Sequence, residues 1–381
     1  FLEQFGWKPI KEKDYVIGLS REGQSITLEP GNQIELSGAK LNSVHLNCSE
    51  SYKYLDELRK ACKKLNLKMM SVSFDPFTKL ENVPQTPKQR YEIMTKEMPK
   101  DGKLSLHMMY QTCGTQINLD YMSEKDFIKK FKLSSFLVPI STAIFANSPI
   151  VENSLSGYLS YRSKVWQNTS RAGLPKSFLE DMDFEKYTDF VINMPLLFVL
   201  KNSQYLNAEG KNFKDFMDGK LSILKNIKPN IVDFKNHLAT IFTEVRLKEY
   251  IEIRSLDTCE WDCHCGGPAF YVGLLYGNLD LAYDIISKWE VSDILNAYID
   301  APKKGLDTRI NNKSILEWGK IFLNLSKKGL EKRSLKNDSG KDESIFLRSV
   351  ESIINNNKTK ADITIEKFKN KKDLSFLYEK T

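Results

Sequence analysis

Two short segments place charged side chains at alternate positions, which is the pattern of a β-strand. One segment contains Glu29 and Glu35, and another, far along the chain, contains Glu252 and Arg254. A strand sends residues i and i+2 to the same face, so the apolar residues can pack on one side while the charges project from the other. Carboxylates and arginines gathered in this way bind metal ions or phosphates. For either segment alone, a solvated strand face is the alternative.

Further motifs accompany these two segments along the chain. They occupy residues 18–38, 88–99, 111–120, 145–149, 157–166, 242–248 and 268–276. In this order the blocks resemble the plant and proteobacterial type of glutamate-cysteine ligase, and the resemblance spans roughly residues 5 to 330. Collinear blocks of this extent are far more specific than a single short motif.

The resemblance implies an ATP-dependent enzyme that begins glutathione biosynthesis. In that reaction ATP phosphorylates the γ-carboxylate of L-glutamate, and the amine of L-cysteine then attacks the γ-glutamyl phosphate to form an amide. Both steps crowd anionic oxygens, so the site needs Mg²⁺ or Mn²⁺ beside the nucleotide. The implied fold is glutamine-synthetase-like, in the α/β (α+β) class, with helices packed outside a curved, mainly antiparallel sheet.

The alternating segments supply the metal-binding, catalytic and ATP-binding residues that the resemblance implies. The expected metal ligands are Glu29, Glu35 and Glu252. Arg254 follows Glu252 on the same face and is expected to stabilise the phosphoryl group in transfer, so these two are the expected catalytic residues. Arg246 and Lys248 are expected to hold the ATP phosphates, with a solvated strand edge as the alternative for Lys248.

Four other residues are the expected substrate-binding set. By resemblance, the planar fork of Arg162 holds the α-carboxylate of glutamate and Trp166 packs beside it. Arg90 is a second candidate for this work, and a surface position on a helix is the alternative. Gln116 points the same way as Asn118 on its strand and is expected to line the site, unless both amides only stabilise the strand.

Two departures from the family pattern affect the site. Relatives commonly have arginine where this chain has Gln111, so one cationic contact is absent. After Asp257 the usual Gly-Gly-Pro-Trp-Arg-Arg-Leu-Cys run is replaced by residues 258–265, with the loss of two positive charges. The resemblance further implies a preceding strand with closely spaced glutamates, so we expect either a fragment or a protein that has lost part of the metal site.

The cysteines permit several interpretations. Cys259, Cys263 and Cys265 lie close together with a histidine, but they lack the paired spacing of a structural zinc site. Only Cys265 lines up with a cysteine of the family, which in plant enzymes takes part in redox control. A disulfide that uses Cys259 or Cys263 is an open alternative. The remaining cysteines are expected in the core; they are Cys48, Cys62 and Cys113.

The elements that must position these residues follow from local patterns. Residues 14–38 predict a hairpin with turns at Gly23 and Gly31, and residues 50–66 predict an amphipathic helix capped by Ser49 or Ser51. Residues 104–120 predict a strand, 124–145 a buried helix, and 147–175 a loop. Helices are also predicted within 183–200, 213–224, 268–288, 290–299 and 314–332. We expect a catalytic domain over 1–330 and a helical, partly flexible appendage over 331–381.

Composition excludes several other classes of protein. The 56 basic and 49 acidic residues give a net charge of +7 that is spread along the chain, unlike the concentrated charge of nucleic-acid-binding proteins. No apolar run is long enough for a membrane span, and no hydrolase triad or Gly-rich phosphate loop occurs. We therefore expect a cytoplasmic monomer or homodimer, with an organelle as the open alternative, acting on L-glutamate, L-cysteine and ATP without nucleic acid or membrane. The alternatives are a related γ-glutamyl ligase that uses another amine, or a non-catalytic relative that acts as a binding module.

Overall fold

A computed structural model describes residues 1–12, 14–371 and 373–378. The strands are β1 (Lys8–Glu12), β2 (Tyr15–Arg21), β3 (Gln24–Leu28), β4 (Ile34–Ser37), β5 (Gly114–Leu119), β6 (Ile150–Val151), β7 (Ser154–Leu155), β8 (Ala172–Gly173), β9 (Phe198–Lys201), β10 (Gln204–Asn207), β11 (Phe242–Thr243), β12 (Val245–Leu247), β13 (Ile251–Asp257), β14 (Arg309–Ile310) and β15 (Lys313–Ser314). Within the described residues, the named strands pair antiparallel except for β8 with β11. The predicted α+β class with mainly antiparallel sheets is confirmed.

Helices surround these strands. The α-helices are α1 (Val44–Leu65), α2 (Gln89–Glu97), α3 (Ser105–Gln111), α4 (Glu124–Phe136), α5 (Val138–Ile144), α6 (Tyr161–Gln167), α7 (Phe184–Asn193), α8 (Phe213–Met217), α9 (Ile231–Leu238), α10 (Trp261–His264), α11 (Gly266–Val272), α12 (Leu279–Ile286), α13 (Val291–Lys304), α14 (Ile315–Arg333), α15 (Arg348–Asn356) and α16 (Lys360–Lys371). A π-helical turn, Gly273–Gly277, joins α11 to α12. Short 3-10 helices occur at Leu2–Phe5, Leu80–Asn82, Met98–Asp101, Lys176–Leu179, Ser222–Leu224, Gly305–Asp307, Glu343–Leu347 and Ser375–Leu377.

The first sheet is a four-stranded meander in the order β1-β2-β3-β4. Its central hairpin turns at Gly23, whose φ of 81° is readily adopted only by glycine. The helix α1 is attached to this sheet through Glu57, which accepts hydrogen bonds from Trp7 (2.8 Å) and Arg21 (2.7 Å). All three side chains are buried. The predicted hairpin over residues 14–38 is confirmed, and this sheet positions Glu29 and Glu35.

The second sheet has three strands in the order β12-β13-β5. In β5 and β13 the apolar side chains alternate with polar ones, and Ile117, Leu119 and Ile253 point into the main core. Helices α4, α5, α11, α13 and α14 contribute to that core together with this sheet. The opposite face of the sheet carries the charged residues of the site.

Several local predictions are wrong in detail. Residues 104–120 contain the helix α3 followed by the strand β5. Residues 124–145 form two helices, because Pro139 lies in the first turn of a new helix, α5. Ser43, instead of Ser49 or Ser51, caps α1. The stretch 147–175, predicted as a loop, contains the buried helix α6.

The described part of the segment after residue 330 is mostly helical. Leu347, Val350 and Ile353 of this segment belong to the main core cluster, and Glu343 pairs with Arg333 at 3.0 Å. The division into a domain over 1–330 and an appendage over 331–381 stays a prediction. Across the described parts of the chain, no helix combines the length and apolar character that a membrane span requires.

Candidate active site

The centre of the site is the polar face of β13. Arg246 on β12 lies opposite Glu252, and Asn118 on β5 lies opposite Glu252 on the other side. Ile251 and Ile253, the neighbours of Glu252, are buried in the core. The alternation predicted from the sequence is therefore present, and it brings residues from three strands onto one surface.

Glu252 is held by a ring of cations. Arg246 donates to its carboxylate through Nε, Lys248 Nζ lies 3.1 Å away, and the Arg254 guanidinium is at 3.9 Å. Gln116 Nε2 also donates to Glu252 at 3.1 Å, while Gln116 Oε1 accepts from Arg254. Burial opposes ionisation of Glu252, but the positive charges of Arg246 and Arg254 prevail and lower its pKa to about 2. The carboxylate is thus fixed in its charged form.

The cations around Glu252 repel one another. Burial and the neighbouring Arg246 lower the pKa of Arg254 to about 10, and the same two causes lower the pKa of Lys248. Arg246 is further fixed by hydrogen bonds to the backbone oxygens of Ala239 (3.1 Å) and Ile241 (2.7 Å). Excess positive charge of this kind favours an anionic ligand.

A second group of residues centres on α6. Ser160 caps this helix, and Arg162 and Trp166 lie one turn apart on the same face. The Arg162 guanidinium stacks on the Trp166 ring at 4.4 Å and donates through Nη2 to the backbone oxygen of Arg254 at 2.7 Å. Arg254 also lies over Trp166, at 5.3 Å. This stacking joins the α6 residues to the Glu252 cluster.

Arg162 has buried donors that no protein group satisfies. Its Nε and Nη1 have no hydrogen-bond partner, although the residue is only 3% exposed. The nearest acidic oxygen, of Asp257, lies 3.9 Å from Nη1. Because unsatisfied buried donors are costly, such groups in a native protein commonly mark the place of a ligand.

A third group lies on the four-stranded sheet. Glu29 follows β3 and accepts hydrogen bonds from Thr27 (3.1 Å) and from the hydroxyl of Tyr91 (3.3 Å). The Tyr91 hydroxyl in turn accepts from Arg90 (3.2 Å) and Lys88 (3.4 Å). The predicted residue Arg90 is therefore linked to Glu29 through Tyr91.

The charge of Glu35 interacts with charged residues of both sheets. Its side chain reaches solvent, yet protein atoms surround most of it, as in a cleft. Burial and then the nearby charge of Glu29 raise the pKa of Glu35, and the charge of Arg254 opposes this shift. The Glu35 carboxylate of the first sheet therefore interacts electrostatically with Arg254 of the second sheet.

Two buried carboxylates, Glu244 and Asp257, had no role in the sequence-based prediction. Glu244 is completely buried, accepts a hydrogen bond from Tyr298 at 3.3 Å, and has a pKa raised by burial. Asp257 accepts from the hydroxyls of Ser148 (2.7 Å) and Ser160 (3.0 Å), so it ties β13 to the start of α6. Both carboxylates lie in strand segments that were already selected from the sequence for their alternating charges, 242–248 and the segment with Glu252 and Arg254.

Comparisons with known proteins show the family of this chain. Residues 4–379 match the model of "Glutamate-cysteine ligase family 2". The chain belongs to glutamate-cysteine ligase family 2. It is 41% identical over 376 residues to glutamate-cysteine ligase B, chloroplastic, of Oryza sativa subsp. japonica, covering 97% of this chain and 74% of that protein.

Two further relatives carry the same name. The chain is 40% identical over 374 residues to the chloroplastic glutamate-cysteine ligase of Nicotiana tabacum, covering 97% of this chain and 70% of the relative. It is 38% identical over 371 residues to that of Arabidopsis thaliana, covering 96% of this chain and 70% of the relative. The family resemblance inferred from the sequence is confirmed.

Only part of the predicted ligand set, Glu29 and Glu35, suits a divalent cation. Glu29 and Glu35 repel each other, and a cation between them would remove that repulsion. Within the described ranges, no group of three or more His, Cys, Asp or Glu side chains is arranged to hold a metal ion. The contacts of Glu252 are with cations, so a metal ion there would replace an ion pair. The predicted ligand set stays a prediction.

The structure shows the surroundings of the two departures from the family pattern, Gln111 and the segment 258–265. Gln111 is buried at the end of α3, where it donates to Thr78 O and contacts His107, both at 2.6 Å. Gln111 therefore forms hydrogen bonds within the protein at this position. Cys259 is bonded to Cys263, which confirms one open alternative.

Two cysteine predictions are wrong, because Cys48 and Cys113 are half-buried, whereas Cys62 is buried as expected. Cys48, expected in the core, forms a disulfide with Cys265 across a sequence separation of 217 residues. The bond ties α1, which supports the first sheet, to the start of α11. The pairing is between distant elements, so local sequence patterns carry no signal for it.

Proposed function

We propose that this protein joins the γ-carboxylate of L-glutamate to the amine of L-cysteine at the expense of ATP, in the first step of glutathione biosynthesis. The observation that carries the proposal is the buried guanidinium of Arg162, with two unsatisfied nitrogens beside the cluster around Glu252. An amino-acid carboxylate supplies the acceptors that Arg162 lacks, and the excess positive charge suits phosphates. Membership of glutamate-cysteine ligase family 2 supports the same reaction.

Glutamate would be held at its α-carboxylate by Arg162, with the Trp166 ring keeping the guanidinium plane in place. Arg90, whose Nε is buried without a partner, would contact the same substrate from the side of the first sheet. The amide of Gln116 would line the site next to Arg254. The γ-carboxylate would then extend toward the polar face of β13.

The phosphoryl group would be received near Arg254. This guanidinium is placed to stabilise negative charge that develops during transfer from ATP to the γ-carboxylate. Of the two predicted ATP-binding residues, Lys248 is the better phosphate contact, because its side chain is 28% exposed. Arg246 is 6% exposed and engaged with Glu252, so it would act mainly by positioning that carboxylate.

Mg²⁺ or Mn²⁺ would be held by Glu29 and Glu35, with Glu252 as the third predicted ligand. A bound divalent ion would neutralise the nucleotide phosphates during transfer. Tyr91 and Thr27 would orient the Glu29 carboxylate toward the ion through their hydrogen bonds.

The proposed partners are small molecules alone, namely L-glutamate, L-cysteine and ATP. The protein would act as a monomer or homodimer, without nucleic acid. We propose the cytoplasm or a plastid as its compartment, since the relatives are named as chloroplastic proteins. Imaging of the tagged full-length protein distinguishes these two compartments.

The test is ADP release by the purified protein with Mg²⁺, ATP and glutamate, with and without cysteine. The expected result is cysteine-dependent turnover that is lost in Glu252→Gln. The matched control is Glu249→Gln, because Glu249 is exposed and pairs with Lys235 outside the cluster. This control should keep wild-type turnover.

Other outcomes overturn parts of the proposal. Turnover with a different amine, but not with cysteine, would identify a related γ-glutamyl ligase. No turnover with any amine, together with retained binding of ATP or glutamate, would support the binding-module alternative.

A further inference from the structure

The guanidinium of Arg162 lies in a slot between an aromatic ring and a strand. On one side the Trp166 ring centroid is 4.4 Å from Cζ. On the other side is the backbone of Gly114, the first residue of β5. A Cβ atom at Gly114 would be 2.8 Å from Nη2, 2.9 Å from Nε and 3.0 Å from Cζ of Arg162. The slot therefore exists only because residue 114 has no side chain.

Arg162 has little freedom to avoid such a Cβ atom. Its Nη2 donates to the backbone oxygen of Arg254 at 2.7 Å, and Asp257 lies 3.9 Å from Nη1. The residue is 3% exposed, so protein atoms occupy most of the surrounding space. A side chain at position 114 would therefore displace the Arg162 guanidinium from its position against β5.

The closest contacts of a side chain added at position 114 would be with Arg162. The backbone of Gly114 is outside the left-handed region, so alanine can adopt its conformation without strain. The three nearest atoms to the added Cβ all belong to the Arg162 side chain. Gly114 is also exposed, so it leaves an approach to the guanidinium over the strand.

We propose that Gly114 is a positioning residue for the amino-acid substrate: it seats the Arg162 guanidinium flat between β5 and Trp166, in the orientation that receives the α-carboxylate of glutamate. The inference rests on the proposed function and deepens it. It assigns a specificity-determining role to a residue that itself makes no polar contact with the substrate.

The test is Gly114→Ala, measured by calorimetric titration with glutamate and by steady-state kinetics. Misplacement of a substrate-holding group by about 1 Å can cost about 10²-fold, so we expect the glutamate Kd and KM to rise by about 10–100-fold. The KM for ATP should stay at the wild-type value, because the slot does not include the residues proposed for ATP. The control is Thr115→Val, which changes the next residue of β5, on the opposite, buried face.

A double-mutant cycle separates positioning from a general loss of structure. Alanine at position 162 lacks the Nε, Cζ and Nη atoms that the added Cβ would contact, so Gly114→Ala should cause no further loss of kcat/KM for glutamate in an Arg162→Ala background. Additive losses would overturn the inference and indicate a structural effect. If Gly114→Ala binds glutamate as tightly as the wild-type protein does, the inference about Gly114 is also overturned. Ligase activity of the wild-type protein would in that case still support the proposed function. Wild-type protein that neither binds nor uses glutamate would overturn both.

Discussion

Replacement of Glu252 by glutamine removes the one carboxylate that three cations surround. Arg246, Lys248 and Arg254 would remain, in part buried, without their counter-charge. The pKa of Glu252 falls from 4.5 to about 2 in the folded protein, which corresponds to on the order of 3 kcal/mol of stabilisation of the native state. We therefore expect Glu252→Gln to lower the free energy of unfolding by about 3 kcal/mol at neutral pH.

The pH dependence of this loss has a definite sign. A carboxylate with a depressed pKa stabilises the folded protein fully above its unfolded-state value of 4.5, and this contribution is lost as the pH falls toward about 2. The difference in stability between wild type and Glu252→Gln should therefore be largest at neutral pH and should narrow in acid. The Glu252→Gln protein has no carboxylate at this position, so its stability does not include the pH-dependent contribution of Glu252.

Urea unfolding followed by circular dichroism measures this difference at neutral pH and at about pH 3. Glu249→Gln serves as the control, because its exposed pair with Lys235 contributes little. A Glu252→Gln protein as stable as the wild type at neutral pH would refute the reasoning, and so would a difference that does not narrow in acid.

Three other substitutions have expected outcomes. Arg162→Lys loses the planar fork and should lower kcat/KM for glutamate by about 10²-fold, and an unchanged value in steady-state assays would contradict the proposed carboxylate contact. Cys48→Ser removes the bond to Cys265 and should lower the free energy of unfolding by about 2–5 kcal/mol in urea titrations, an effect that reductant should reproduce in the wild type. Tyr298→Phe leaves the buried carboxyl of Glu244 without its donor and should cost about 1–3 kcal/mol of stability, whereas an unchanged melting temperature would exclude that hydrogen bond.

Local periodicity predicted the faces of the strands correctly. The alternation around Glu252 and Arg254, and that of Gln116 with Asn118, is a property of a few consecutive residues, so it can be read from the sequence. The same pattern indicated a charged surface that suits phosphate. Which cations surround Glu252 depends on the pairing of three strands, and sequence alone does not specify that pairing.

Secondary structure and cysteine pairing that depend on distant parts of the chain were not predicted. Arg162 lies in a stretch rich in serine, asparagine and glycine, yet burial against Trp166 and β13 makes that stretch helical. Tertiary packing here prevails over local propensity. Gln111 was predicted in a strand but lies at the end of the helix α3, for the same reason. The disulfide partner of Cys48 is Cys265, which lies far along the sequence.

The central claim is that the γ-carboxylate of glutamate is activated by phosphoryl transfer at the cluster around Glu252. The most direct measurement uses glutamate labelled with heavy oxygen in its γ-carboxylate, with ATP, Mg²⁺ and cysteine, and mass spectrometry of the released phosphate. The account predicts that one labelled oxygen moves to phosphate for each γ-glutamylcysteine formed, in the wild type but not in Glu252→Gln. Phosphate that carries no label, with ATP consumed, would contradict it.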